Sequence, residues 1–224
     1  MNNEPMLHCE LDHLVITAPT LEAGSKYIQR ELGVIPQSGG RHARMSTHNC
    51  LVKLGEMTYL EAIAPDPDAP KPERTRWFEL DVLEKSSPAR LATWVVRVND
   101  IEAALAASPI PLGRIEALSR GQMNWRISIP EDGSLALQGI VPTLIQWEPG
   151  AHPASSLDDS GCSLIRLEGF HPRAQKIAAM LKAVGFIGDF RINPLPKHKK
   201  AYLVASIQTP GGMRKLGGIY ISPA

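Results

Sequence analysis

Three apolar residues in a row, Leu14-Val15-Ile16, are followed by Ala18-Pro19-Thr20 and then by apolar positions Leu21, Tyr27, Ile28 and Leu32. The short run predicts a β-strand, and the recurrence at three to four residues predicts an amphipathic helix. Thr20 has the side chain of an N-cap and Gly33 is a natural stop. Val34–Pro36 reads as a short second strand, with Ser38-Gly39-Gly40 as a loop. Two further apolar runs, Leu51–Leu54 and Met57–Ile63, are separated only by Gly55-Glu56, a connection of the length that closes a β-hairpin. The order is therefore β-α-β-β-β. It ends in PDPDAPKPE, whose proline density favours extended backbone and marks a connector over roughly 65–75. Trp77–Leu80 and the following residues suit a short helix.

The order then recurs. TWVVRV (Thr93–Val98) is strand-like, Asn99-Asp100 caps a helix carrying Ile101, Ala104 and Leu105, and strands are expected at 113–118, 125–129 and 142–147. A third, less similar round has a strand at Leu164–Leu167, a helix from Pro172 to Val184, and strands at 202–208 and 213–221. First strands lie about 80 and then about 70 residues apart, a period compatible with repeated supersecondary units. The expected organisation is one unit built of modules at roughly 9–66, 91–149 and 161–222.

The hairpin register carries the first chemical clue. A two-residue loop at Gly55-Glu56 pairs Leu54 with Met57, places Cys50 opposite Glu61 and sets His48 opposite Ile63. Because side chains alternate along a strand, His48, Cys50, Val52, Tyr59, Glu61 and Ile63 then share a face. His48 and Glu61 become diagonal neighbours, roughly 7 Å apart at the backbone. A carboxylate beside an imidazole in an apolar strand pair calls for a reason, since burying an unpaired charge is costly.

Composition narrows the function classes. With 224 residues, 43% of them apolar and 21% charged, the chain has room for a substantial core and the make-up of an ordinary globular protein. Lys plus Arg is 24 and Asp plus Glu is 23, so the net charge of +1 gives no reason to expect nucleic acid. The opening MNNEPMLHCELDH lacks a basic, then apolar, leader pattern, and no run approaches ~18 apolar residues, so no membrane association is expected. Cys9, Cys50 and Cys162 are too few and too scattered for a disulfide framework, which suits a reducing cytoplasm.

At LDHLVI, GGRH followed by THN, and TYLEAIAP the chain resembles the vicinal oxygen chelate superfamily, in its glyoxalase-like branch. The resemblance implies an α+β fold, that of glyoxalase, bleomycin-resistance and dioxygenase proteins, with paired βαβββ modules whose curved mixed sheets enclose a cleft. It also implies a divalent metal (zinc, manganese, iron or nickel) that chelates neighbouring oxygens of a small molecule, with His13 and Glu61 at the first- and last-strand ligand positions. The second module offers Thr93 and Gln146 at the matching places, and threonine is a poor ligand. His48 is the residue that could complete a two-histidine, one-carboxylate set with open positions for substrate.

Each candidate has a plain structural alternative. His13 could be a histidine hydrogen-bonded to backbone, and His48 could hold a turn together with Asn49. Arg41, His42 and Arg44 flank Gly-Gly and could clamp a carboxylate or phosphate, or be solvated loop charges. Trp125 and Trp147 are cleft wall or core. Asn49, Trp125 and Gln146 complete the set of side chains expected to touch substrate, and Lys197–Lys200 reads as an exposed loop. Two functions follow. One is a metal-dependent lyase or isomerase in which Glu61 ligates or shuttles a proton. The other is a non-catalytic protein that sequesters a small molecule, favoured by the degraded Thr93/Gln146 pair. The expected partner is a small molecule, with a homodimer left open as the assembly.

Overall fold

A computed structural model describes residues 6–150 and 152–218. The first module consists of β1 (Cys9–Thr17), α1 (Leu21–Leu32), β2 (Gln37–His42), β3 (Thr47–Lys53) and β4 (Tyr59–Pro65). The second consists of β5 (Arg90–Val98), α2 (Ile101–Ala107), β6 (Arg114–Arg120), β7 (Met123–Ile129) and β8 (Thr143–Trp147). Both have the expected order, and in both the first strand pairs in parallel with the last. β1 and β5 join the modules antiparallel, giving the strand order β2-β3-β4-β1-β5-β8-β7-β6. The sheet curls until its edges meet: Arg44, beside β2, pairs with Glu116 of β6, and Arg120 at the end of β6 reaches His42. This is the α+β fold of curved paired modules that the motifs imply.

The helix ends follow their sequence signals. Thr20 Oγ1 accepts from the Ala23 N–H at 3.1 Å, Gly33 ends α1 at φ 74°, and Asp100 accepts from Ala103 N–H at 2.9 Å. Two expectations are displaced. The second strand begins at Gln37 and runs through the two glycines, whereas Pro36, which lacks an N–H donor, stays outside it. A Cβ on Gly39 would lie 2.1 Å from Asn49 Oδ1, and one on Gly40 2.8 Å from Arg120 Cδ, so the Gly-Gly pair is a bare strand surface under two side chains.

The hairpin is the other correction. Leu54 N–H donates to Thr58 O, leaving Gly55, Glu56 and Met57 as a three-residue loop, with Met57 partly exposed. Leu51 now faces Glu61, and Asn49 faces Ile63. A one-residue slip moves every side chain of β3 to the opposite face. His48, Cys50 and Val52 therefore point away from Glu61, and Asn49 points toward it.

The convex side of the sheet carries α1, α2 and a third layer. That layer is built from β9 (Ser163–His171), α3 (Ala174–Ala183), β11 (Phe190–Pro194), β12 (Tyr202–Thr209) and β13 (Gly212–Gly217), while β10 (Phe186–Ile187), between α3 and β11, pairs in parallel with β1 as a further strand of the large sheet. Its strand order is β11-β9-β12-β13, so its first strand pairs with β11 and β12 rather than with its last. Apart from β10 it repeats the element order of the modules without their pairing, because the chain leaving α3 passes beside β1 as β10 and then returns beside β9 as the parallel β11, leaving the last strand, β13, on β12. The end of the expected 213–221 strand lies outside the described residues. Trp94 anchors the layer: fully buried, it stacks on Phe190 at 4.4 Å, meets Phe186 edge-on and donates its indole N–H to Ile140 O at 2.9 Å. Truncating such a tryptophan costs about 3–5 kcal/mol.

The concave side is filled differently. After β4 the proline-rich connector crosses the open side of the sheet and drops Trp77 and Phe78 into the curl, both about 95% buried. In place of the expected helix there is one short turn at Leu80–Val82, because Phe78 and Glu79 are both left-handed (φ 58° and 59°). Arg76 fixes this segment through Asp81 and the Ser46 carbonyl. No helix among the described residues is long and apolar enough to cross a membrane.

Candidate active site

The site begins with an irregularity in β1. The register against β5 shifts between Leu11 and His13, which makes Asp12 the extra residue of a β-bulge. A bulge re-aims a side chain. Here it turns the carboxylate of Asp12 to the concave side with His13, where regular alternation would have sent it to the convex core. Asp12 is fully buried, and its two oxygens meet three N–H groups: His13 Nδ1 at 2.6 Å, Trp147 Nε1 at 2.9 Å and His152 Nε2 at 3.1 Å. His152 Nδ1 accepts from Ala154 N–H, so its proton sits on Nε2. Burial alone pushes the Asp12 carboxyl up, but the hydrogen bonds from His13 and His152 outweigh it and hold the group well below the usual carboxylate range.

An ionised Asp12 keeps a proton on His13 Nδ1, which leaves Nε2 bearing a lone pair. The ring is locked by stacking on Tyr59, with centroids 4.5 Å apart and planes within 15°. His13 Nε2 faces Glu61 Oε2 at 3.6 Å. The other oxygen, Oε1, accepts from Asn49 Nδ2 at 2.5 Å. Tyr59 is pushed well above the ordinary phenol value by burial and by the nearby Asp12 and Glu61 charges, so it remains a neutral phenol.

Asn49 links this pair to a cation. Its Oδ1 lies 3.4 Å from Arg120 Nη1, which is the same distance from His42 Nε2. A guanidinium can only donate. His42 must therefore accept at Nε2 and donate from Nδ1 to Thr47 Oγ1, 3.1 Å away. Burial, then the charges of Arg120 and neighbouring histidines, push His42 down to about 3, so it is a neutral acceptor at physiological pH. Trp77, Phe78, Trp125, Ile127, Ile145 and Trp147 close the walls around a cavity of about 30 Å³.

Of the residues expected at the site, His13, Glu61, Asn49 and Trp125 line this cavity. His48 does not, for the register reason above. Arg41, opposite His48, is exposed and pairs outside with Asp66 and Asp68. Gln146 is also on the convex side: it accepts from Ile101 N–H and Arg126 and donates to Asn99 O, while its neighbours Ile145 and Trp147 face inward. Thr93 is buried beside Val15. Trp147, expected as core or cleft wall, and Tyr59, expected on the face of Glu61, line the cavity too, whereas Asp12, Arg120 and His152 escaped the sequence reading. Asp12 alone had a signal, an acidic residue at a position of β1 that alternation assigns to the core.

The donor set can be tested against a divalent metal. His13 Nε2 and Glu61 converge, but Asn49 turns its amide nitrogen to Glu61 and its oxygen to Arg120, and His48 and Gln146 face the other way. Among the described residues no three His, Cys, Asp or Glu side chains gather as a metal-holding group. Two protein donors beside a guanidinium fall short of the three or four ligands of a resident site, so the residues do not fit one.

A curled sheet of two βαβββ modules around a cavity with a buried imidazole–carboxylate pair defines a small-molecule cleft protein. The family model described as a glyoxalase-like domain matches residues 11–185. The chain belongs to that family, and so to the vicinal oxygen chelate superfamily whose motifs it carries. A crystal structure of a hypothetical protein from Staphylococcus aureus superposes at a TM-score of 0.60 with 14% identity, covering 92% of this chain and 98% of that one, which supports the fold across nearly the whole length. Methylmalonyl-CoA epimerase from Mycobacterium tuberculosis is more distant, at TM-score 0.41 and 20% identity over 63% of this chain and 88% of that one. No curated protein matches the sequence.

Proposed function

We propose that this protein is an enzyme of lyase or isomerase type that moves a proton at a carbon next to a carbonyl of a small oxygenated molecule. The observation that carries the reading is the approach of His13 Nε2 and Glu61 Oε2 to 3.6 Å inside a buried cavity, with each group fixed from behind. Asp12 holds the imidazole in one tautomer, and Asn49 occupies one carboxylate oxygen, leaving the other free. Glu61 Oε2 takes the carbon-bound proton, and His13 is placed to receive it or pass it to an oxygen of the substrate. Arg120 faces the same cavity and stabilises negative charge on the resulting enolate.

Both proton-carrying groups rise from β1 and β4, neighbouring strands of one module. They therefore approach a bound molecule from one side, which favours a proton removed and returned on the same face over inversion between two opposed bases. No resident zinc, manganese, iron or nickel enters this reading. The test is turnover of a panel of small carbonyl compounds by protein purified without chelator, repeated with EDTA and with His13→Asn and Glu61→Gln. Activity that survives EDTA and disappears in both variants supports the proposal; activity lost with EDTA and restored by one metal sinks it. The second reading, sequestration without turnover, has the small cavity and the five aromatic side chains packed into the cleft in its favour. It predicts a ligand that binds and is recovered unchanged.

A further inference from the structure

Arg120 stands out among the arginines around the cleft. Arg41 pairs with Asp66 and Asp68, Arg44 and Arg74 with Glu116, and Arg76 with Asp81. Arg120 has no carboxylate partner among the described residues. Its two contacts, to His42 Nε2 and Asn49 Oδ1, are long at 3.4 Å, are made to neutral acceptors and both use Nη1. The edge formed by Nε–H and Nη2, the fork that matches a carboxylate, is left without a protein carboxylate. The side chain is half-buried and lies over Gly40, where a Cβ would come within 2.8 Å of it. A guanidinium withdrawn from water in this way is costly unless an anion meets it.

A second observation points to the same cavity. The indole of Trp77 lines it, Trp77 is 4% exposed, and its Nε1–H is buried with no hydrogen-bond partner among the described residues. An unmet donor of this kind costs about 1–3 kcal/mol until an acceptor arrives. Phe78 and Glu79, the left-handed residues that follow, and the Arg76–Asp81 pair hold the indole where it is.

We infer that Arg120 and Trp77 form an anion subsite and that the molecule this cleft takes is a small monocarboxylate. The fork of Arg120 receives the carboxylate and the Trp77 N–H donates to one of its oxygens. Charge chooses the monoanion: Asp12 and Glu61 already bring two carboxyl groups to this site, and one guanidinium with one neutral donor does not offset a phosphate dianion as well. Size agrees, since a cavity of about 30 Å³ admits only a small group. This names the substrate class for the proton transfer proposed above and rests on that reading for which end of the molecule reacts; capture of the anion is tested apart from turnover.

The experiment is ligand-observed NMR titration of the full chain with acetate, its neutral isostere acetamide, and inorganic phosphate, using wild type, Arg120→Gln, Arg120→Lys, Trp77→Phe and Glu61→Gln. Wild type is expected to bind acetate at least about tenfold more tightly than acetamide, the scale of one charge-assisted fork. Arg120→Gln brings the two to the same affinity, and Arg120→Lys, which keeps the charge and loses the fork, falls between. Trp77→Phe weakens acetate several-fold and leaves acetamide nearly unchanged. Should Arg120→Gln fail to fold, the lysine variant carries the test by itself. Glu61→Gln retains the preference for acetate, so loss of turnover with anion binding intact bears on the proton transfer alone. The inference is overturned if wild type does not bind acetate, binds acetamide equally well or prefers phosphate, or if the preference survives in Arg120→Gln.

Discussion

Replacing Asp12 by asparagine keeps the size of the side chain and removes the charge that organises the site. In the native protein three N–H donors converge on the two oxygens of a fully buried carboxylate. Asparagine offers one acceptor oxygen and an NH₂ group, so at least one of the His13, Trp147 and His152 donors is left facing a donor. Hydrogen bonds to a charged group are each worth about 1.5–3 kcal/mol, and removing one side of a buried charged network costs about 3–5 kcal/mol. The pH dependence has a definite sign. Because the folded Asp12 is held below its unfolded value of about 3.9, its contribution is present above that pH and fades as pH falls below it. Urea denaturation should therefore show wild type more stable than Asp12→Asn by about 3–5 kcal/mol at pH 7, with the gap narrowing steadily below pH 4. The imidazole reports the same event independently: ¹⁵N NMR should find the His13 proton on Nδ1 in wild type and moved to Nε2 in the variant. The wrong tautomer blocks Nε2, and turnover should fall about a thousandfold or more, as it does when a histidine loses its orienting carboxylate elsewhere. An unchanged tautomer, or a stability gap that does not depend on pH, would refute this role for Asp12.

Other outcomes follow from single contacts. His42 is neutral when folded and has a value of about 3, whereas unfolded histidine titrates near 6.5, so the unfolded chain binds the extra proton between those values. Stability should decline as pH falls from about 6.5 toward 3, and His42→Gln should flatten that slope in a denaturation series. Gly40→Ala places a methyl 2.8 Å from Arg120 Cδ. It should lose about 1–3 kcal/mol of stability and much of its anion affinity, whereas Gly121→Ala, with open space around it, should not affect the anion. His48→Ala should leave turnover unchanged and stability within about 1 kcal/mol of wild type, because His48 Nε2 has no partner among the described residues to lose. Elemental analysis of protein purified without chelator should find far less than one divalent metal per chain.

The helix ends and the main strands were legible because they depend on local rules. Thr20, Gly33 and Asp100 cap helices through contacts within three or four residues, and the apolar runs of β1, β4, β5 and β8 are long enough to be unmistakable. His13 and Glu61 were legible for the related reason that a charged or polar residue inside such a run demands a partner. What the sequence concealed depends on single-residue register. A loop longer by Met57 exchanged His48 for Asn49, and a bulge at Asp12 brought a carboxylate to the face that strict alternation denies it. Ile145 and Trp147, rather than Gln146, face the cleft by the same one-residue margin. Arg120 and Trp77 were hidden for another reason. The curl of the sheet brings Arg120 to the site from the far edge of the second module, and the path of the connector brings Trp77 from beyond β4. No periodicity along the chain encodes either approach.

The central claim is that His13 and Glu61 move a carbon-bound proton without a metal. Proton NMR of small 2-oxo monocarboxylates incubated with the protein in D₂O measures this directly, since removal and return of the proton exchanges the hydrogen for deuterium whether or not a product accumulates. Wild type should exchange the position next to the carbonyl in at least one such acid, equally with and without EDTA, and both His13→Asn and Glu61→Gln should not. Exchange that persists in both variants, or that EDTA abolishes, would contradict the claim.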